Sequence, residues 1–454
     1  MRSVAAAAMA TVVLAVLAGI ASRAPAGPLE AGSPFDVTPA VSEADQRWPA
    51  AAFGGGVYLV VWQDGEAMAG VADTGIFAAR VSPDGRPLDD KPIPVCTARG
   101  FQAYPAVCFD GAAFLVVWQD YRGGADWDVY AARVTPQGKV LDADGVPVAA
   151  GAGNQIYPSA ACDGRTCLVV WSDVRPGFVP EVYQIWGTLV TDGRPREPGG
   201  HVVGKAAESL LSPRIVPLRS GYLLAAGRAA PGWEPAVPWL ARINSDMGTS
   251  EVKLPARPFM AQTWSLASDP SGDRVLFWSN QRMEHGSYVV RYLSSLIADA
   301  GGAPALFRHL AIGLQDRYPP RNDLWCDVVW TGRSFLAVVE QSPDVNMADG
   351  RHVPRNVDIL ATRIHRDTGA PLDVGSVAVP LSGKGSDMRP SSEDLKRIVA
   401  TAPAGVRAAA EPVVQERHPA LASAGDGTAL LVYSRRGGAG RYKIYAVRLR
   451  EQFD

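Results

Sequence analysis

Charge of one sign is the first thing this chain lacks. Its 44 Lys and Arg nearly balance 46 Asp and Glu, for a formal net charge of -2. No basic face is therefore expected to draw it to nucleic acid or to an anionic membrane. Histidine is scarce, six in 454 residues. None are paired at metal-ligand spacing, since His352 and His365 lie too far apart to form a motif. There is no G-x-S-x-G elbow, no H-E-x-x-H and no phosphate-cradling glycine loop. Asp142-Ala143-Asp144-Gly145 is too short for a calcium loop. No motif asks for a cofactor or a metal.

Cysteine is also sparse: Cys96, Cys108, Cys162, Cys167 and Cys326. Cys162 and Cys167 flank the turn Asp163–Thr166, which makes them the disulfide candidate. Cys96 with Cys108 is a weaker pairing, and Cys326 would be left over. All five also fit as small buried apolar residues.

Long apolar runs are missing after the first one. Arg2, the apolar stretch 4–20 and Ala24-Pro25-Ala26 read as a signal peptide over 1–26, with a mature chain starting near Gly27. A retained anchor is the rival reading, because the run is near the lower limit for spanning. No Cys follows it, so a lipid anchor is not expected. The expectation is a secreted or periplasmic protein with no membrane span after cleavage.

What the chain does have is glycine (46), proline (36) and internal repetition. Trp48-Pro49 leads to Leu59-Val60-Val61-Trp62-Gln63-Asp64, and Tyr104-Pro105 to Leu115-Val116-Val117-Trp118-Gln119-Asp120. Tyr157-Pro158 leads in the same way to Leu168-Val169-Val170-Trp171-Ser172-Asp173. Weaker copies follow, giving starts near 49, 105, 158, 213, 265, 326 and 419. Each copy reads as four short strands rich in Val, Leu, Tyr, Trp and Phe, separated by Asp-Gly or Pro-x-Gly turns. Fifty-odd residues and four strands match one propeller blade. A four-stranded sheet cannot bury both faces alone, whereas sheets packed around an axis can.

The expected fold is all-β. It is a single seven-bladed β-propeller of four-stranded antiparallel blades over 27–454. A first strand at 34–41 completes the last blade and closes the ring. An open array or stacked sandwiches is the alternative. The unit Phe114–Arg122, Asp128–Arg133 and Leu141-Asp142 with Gly145 resembles a repeat of secreted bacterial propeller proteins. That resemblance implies an exported propeller and no single activity.

Loops between second and third strands, and those joining copies, are long and share one face. The insertions 341–356 and 382–417 fall there. Ser391-Ser392-Glu393-Asp394 fits a helix cap, so a short helix is expected in 382–417. Function is expected on this face. The leading aromatics Trp48, Tyr104, Tyr157, Trp264 and Tyr318, with His418 in the last copy and Ser212 in the fourth, are candidates for stacking on sugar rings. Packing between blades is the rival reading, and the one that a feature repeated in nearly every copy favours. The repeated W-x-D-x-R reads as a loop brace. Arg317, Arg282, His285, Asp344 and Glu340 are further candidates on that face.

The leading functional expectation is a monomeric binding module for a glycan or an extracellular protein. A polysaccharide hydrolase or lyase is the alternative, with Asp316, Asp323, Asp327 and Glu340 as candidate carboxylates. A structural role in a surface assembly is the third.

Overall fold

The computed structural model describes residues 29–38, 45–65, 73–177, 182–229, 237–253, 261–282, 290–298, 306–310, 325–341, 345–346, 352–353, 358–370, 372–373, 379–380, 415–436 and 441–452. Among these the chain is all-β. The strands form seven antiparallel sheets of four or five strands and one two-stranded ribbon.

The first sheet is Gln46–Gly54, Val57–Asp64, Gly75–Val81 and Ile93–Cys96. The second is Gln102–Phe109, Phe114–Asp120, Asp128–Val134 and Val146–Ala149. The third takes Asn154–Asp163, Thr166–Val174 and Gln184–Thr191, with Arg194–Pro195 and His201–Gly204 both on its third strand. The fourth runs Ser209–Leu218, Gly221–Ala229, Val237–Ile243 and Thr249–Val252, and the fifth Ala261–Ser268, Arg274–Arg282, Val290–Ala298 and Leu306–Leu310. The sixth has Cys326–Trp330, Phe335–Gln341, Asp358–Ile364 and Val379–Pro380. The last joins Gln415–Ser423, Thr428–Arg436 and Tyr442–Glu451 to two N-terminal pieces, Leu29–Ala31 and Phe35–Asp36.

The second strand of a repeat is an unbroken apolar run for a physical reason. Phe114–Asp120 is buried at every residue, as a strand covered on both faces must be. The cover comes from the neighbouring sheets. Apolar clusters join sheet to sheet, as where Val61 and Ile76 meet Val116 and Trp118. One of them seats Val60 and Trp62 of the first sheet against Leu430 and Val432 of the last. Each first strand also packs on the first strands of its two neighbours. The sheets are therefore blades in a propeller ring, with first strands innermost. Each fully buried Val, Leu or Phe side chain contributes about 1.5–3 kcal/mol, so the core is distributed between sheets rather than within one.

The repeated polar residues hold the strand ends. The buried Trp118 donates its indole Nε1–H to Asp120 (2.8 Å), and Arg122 grips the same carboxylate through its backbone N–H (2.9 Å), Nε (2.9 Å) and Nη2 (2.6 Å). The third sheet repeats this with Trp171 (2.8 Å) and Arg175 (2.9 Å) on Asp173. The arginines then lie over Tyr130 (4.0 Å) and Trp186 (3.6 Å). A second brace crosses the outer edge. Arg80 pairs with Asp89, Arg133 with Asp142 and Arg363 with Asp373. This explains the D-V-Y-x-x-R and L-D-x-x-G halves of the repeat. Gly145 is needed because it sits at φ 77°, where a Cβ would lie 2.4 Å from the Trp118 ring.

The segment expected as one strand over 34–41 differs in detail. Leu29–Ala31 and Phe35–Asp36 pair separately with Tyr442–Glu451, and 39–44 lie outside the described residues. Gly32 and Pro34 separate the two pieces, and Pro34 has no N–H to give a ladder. The expected signal peptide over 1–26, and all but Gln415–Arg417 of the 382–417 insertion with its expected helix, also lie outside the described residues.

Candidate functional site

The innermost strands surround a cavity of about 350 Å³. Its wall is built from the leading residues of the repeats, and a backbone device places them. Trp48, Tyr104, Tyr157, Ser212 and His418 all have φ between 52° and 56°, a left-handed conformation that L-residues rarely adopt. In the sequence each of the five is followed by a proline: Pro49, Pro105, Pro158, Pro213 and Pro419. In all five strands the pairing register slips at this dipeptide, as between Arg47 and Ala50. The pair is a β-bulge. Proline costs no ladder hydrogen bond there, because the bulge leaves its nitrogen without a partner strand. Such residues cost on the order of 1–3 kcal/mol each.

The sequence predicted ring residues in the fifth and sixth copies at Trp264 and Tyr318. Trp264 differs from the others in its backbone. Trp264 lacks a following proline, takes no positive φ and pairs with Ser279 directly after a register slip that begins at Ala261. It is buried and lines the cavity, and its indole donates to the Ser212 carbonyl (3.1 Å). Trp325 lines the cavity in the sixth sheet. Tyr318 lies outside the described residues. The clue was present: Trp325 directly precedes Cys326, where the sixth copy begins.

The rings touch one another. Tyr157 meets Tyr104 (5.2 Å between centroids), Tyr104 meets Trp48 (4.6 Å), and Trp48 meets His418 (3.8 Å) and Trp325 (4.9 Å). Side-by-side packing and exposure to the cavity thus coexist, since these rings are only half-buried. The result is a continuous aromatic wall along one side.

The opposite side sets polar groups around Trp264. Two positions past the leading residue, the first, second, third and last sheets carry Ala50, Ala106, Ser159 and Ala420, each opposite a valine. The fourth and sixth carry Arg214 and Asp327 in the same register, opposite Ala225 and Val338. Both line the cavity with Ser212 and Thr263. Asp327 accepts from Ser265 Oγ (2.5 Å) and the Leu421 amide (2.7 Å). Burial pushes its carboxyl above the ordinary aspartate range, and those hydrogen bonds partly offset this. Burial pulls the Arg214 guanidinium down, against the opposing influence of Asp327. Arg214 was not singled out by sequence, because the fourth copy lacks the Trp that anchors the alignment.

Glu340 has a structural explanation. Its carboxylate accepts the His418 amide (3.3 Å), just as Gln119 accepts the Tyr157 amide (2.9 Å). Both secure the left-handed residue of the next sheet. Asp316, Arg317, Asp323, His285 and Asp344 lie outside the described residues, as does the side chain of Arg282. Among the described residues, one group of metal-type ligands converges: Cys108, Cys162 and Cys167. Cys162 and Cys167 form a disulfide across their hairpin, so their sulfurs have no thiolates to offer an ion.

No family model matches the chain, and no curated protein matches it. Among solved structures, a protein of unknown function from Dyadobacter fermentans is 10% identical with TM-score 0.46, the match covering 93% of this chain and 99% of that one. A polysaccharide lyase is 8% identical with TM-score 0.49, covering 89% and 90%. The Trypanosoma rangeli sialidase in complex with the inhibitor DANA is 8% identical with TM-score 0.43, covering 93% and 60%. Likenesses this distant say nothing of ligand or activity.

Proposed function

We propose that this chain is an exported, monomeric, seven-bladed propeller that binds a glycan in its axial cavity. The observation that carries the reading is the cavity wall: half-buried aromatic rings contiguous on one side, with polar groups facing them. Flat rings offer a sugar's C–H face an apolar partner, and hydroxyls, Arg214 and Asp327 offer its polar edge hydrogen bonds. A cavity of about 350 Å³ also falls in the roughly 300–1,000 Å³ range of small-ligand sites. The seven-blade count is supported by the seven sheets of four or five strands. Closure is supported by the cluster between the first and last sheets. Export and cleavage after residue 26 are supported by the N-terminal sequence alone.

Binding is preferred to hydrolysis on the carboxylates. Glycoside cleavage needs two of them flanking the bond. Of the four candidates, Asp327 faces the cavity, Glu340 is engaged in securing His418, and Asp316 and Asp323 lie outside the described residues. Screening the purified protein on a glycan array tests the reading. Wild type is expected to retain a defined set of saccharides, and Trp48→Ala and Tyr104→Ala to weaken them at least tenfold. Retention of glycans unaffected by either substitution would move the site elsewhere.

A further inference from the structure

We propose that the axial site selects an acidic saccharide, whose carboxylate is held by Arg214. This rests on the glycan reading above and names its ligand class. The first observation is internal to the chain. The cavity-facing position two residues past the leading residue is Ala50, Ala106, Ser159 and Ala420 in four sheets. The fold therefore asks only for a small residue there. Arg214 is a large cation at a place where packing does not call for one.

The second observation is how little of Arg214 the protein uses. A guanidinium has five N–H donors. Among the described residues, Arg214 donates through Nη1 to the neighbouring Pro213 carbonyl (3.2 Å). Asp327 shares the cavity but does not close a salt bridge with it. Its two oxygens accept from Ser265 and the Leu421 amide instead. Arg214 is half-buried, and a cation partly removed from water with no salt-bridge partner is costly. A ligand anion would supply that partner, and a carboxylate fits the guanidinium fork in bidentate fashion.

The third observation is room. The fourth sheet places Ser212, not a ring, at the leading position. Trp264 is drawn against the Ser212 carbonyl and held there. The guanidinium therefore faces the cavity across a hydroxyl, opposite the aromatic wall. A sugar stacked on Trp48 and Tyr104 would direct its edge toward Arg214. A uronic acid carries its carboxylate on that edge.

The test uses uronic acid tetrasaccharides, each as the free acid and as its methyl ester, titrated calorimetrically into the full mature protein. Wild type is expected to bind at least one free acid about 10–100-fold tighter than its ester, the range of one charge-assisted interaction. Arg214→Ala installs the residue found at Ala50, so the fold is expected to hold, as a thermal melt will verify. Arg214→Ala should weaken the acid far more than the ester, so that the variant no longer distinguishes the two. Arg214→Lys should recover only part of the preference. Equal wild-type affinity for acid and ester overturns the proposal while leaving the glycan reading intact. So does an Arg214→Ala variant that retains the preference or loses both ligands equally. If no saccharide binds, charged or neutral, the glycan reading itself falls.

Discussion

Asp120→Ala isolates the brace on which the repeat depends. In the folded protein this buried carboxylate accepts the Trp118 indole N–H at 2.8 Å, the Arg122 backbone amide at 2.9 Å, and Arg122 Nε and Nη2 at 2.9 and 2.6 Å. Removing it leaves a buried indole donor without an acceptor, at about 1–3 kcal/mol. It also strips a largely buried guanidinium of its counter-charge. That loss is tempered because Arg122 keeps the Asp144 carbonyl (2.8 Å) and its place over Tyr130. Together these give a loss of about 3–5 kcal/mol, the scale for breaking a buried pair from one side. Against a total stability of about 5–15 kcal/mol, this is readily visible in urea denaturation monitored by tryptophan fluorescence. Asp120→Asn keeps an acceptor and should cost about half as much. A double-mutant cycle with Arg122→Met should show coupling of about 1–2 kcal/mol. If Asp120→Ala costs under about 1 kcal/mol, the conserved spacing within this chain reflects descent of the repeats and not a brace.

Four further outcomes are expected. Burial pushes the Cys96 thiol up to about 11 and raises Cys108 further, so neither should react with iodoacetamide at pH 8 until urea unfolds the chain; labelling of the native protein, read by mass spectrometry, would contradict their placement. Because burial raises the Asp327 carboxyl from the ordinary 3.8, the protonated form is the better tolerated in the fold. Its contribution is full below pH 3.8 and fades as pH climbs through the raised value, so Asp327→Asn should gain melting temperature relative to wild type between pH 4 and pH 7. A shift of the opposite sign refutes that placement. Gly145→Ala drives a methyl toward the Trp118 ring at φ 77° and should lower stability by about 2–4 kcal/mol; a neutral result in urea denaturation would place that loop elsewhere. Replacing Cys162 and Cys167 together by Ser removes a short closed loop and should cost about 2 kcal/mol, read as a lower urea midpoint; an unchanged midpoint would argue against the bond.

Repetition governed what could be read from sequence. Asp64, Asp120 and Asp173 recur after Trp at fixed spacing, and their bracing role followed from that spacing alone. What the sequence could not show is that the indole is itself a donor to the Asp. Glu340 looked like a departure from the pattern and proves to do the work of Gln119. The two departures that do reach the cavity were harder to see. Asp327 was singled out only as one of several carboxylates, and Arg214 not at all, because the fourth and sixth copies have lost the Trp that fixes the alignment. Nothing in a Trp-Pro or Tyr-Pro pair announces a left-handed backbone, since aromatic residues seldom adopt it. That conformation is imposed by the bulge, a tertiary feature.

The bulge separates two jobs that proteins usually entangle. The strand slip and its proline fix where the chain turns, and they do so beneath Trp48, Tyr104, Tyr157, Ser212 and His418 alike. Five side chains of four kinds are thus mounted on one interchangeable seat. Exchanging an occupant alters what the central chamber recognises while leaving the surrounding framework in place. A lineage built on this scaffold can therefore change specificity one socket at a time, and a protein engineer can do the same.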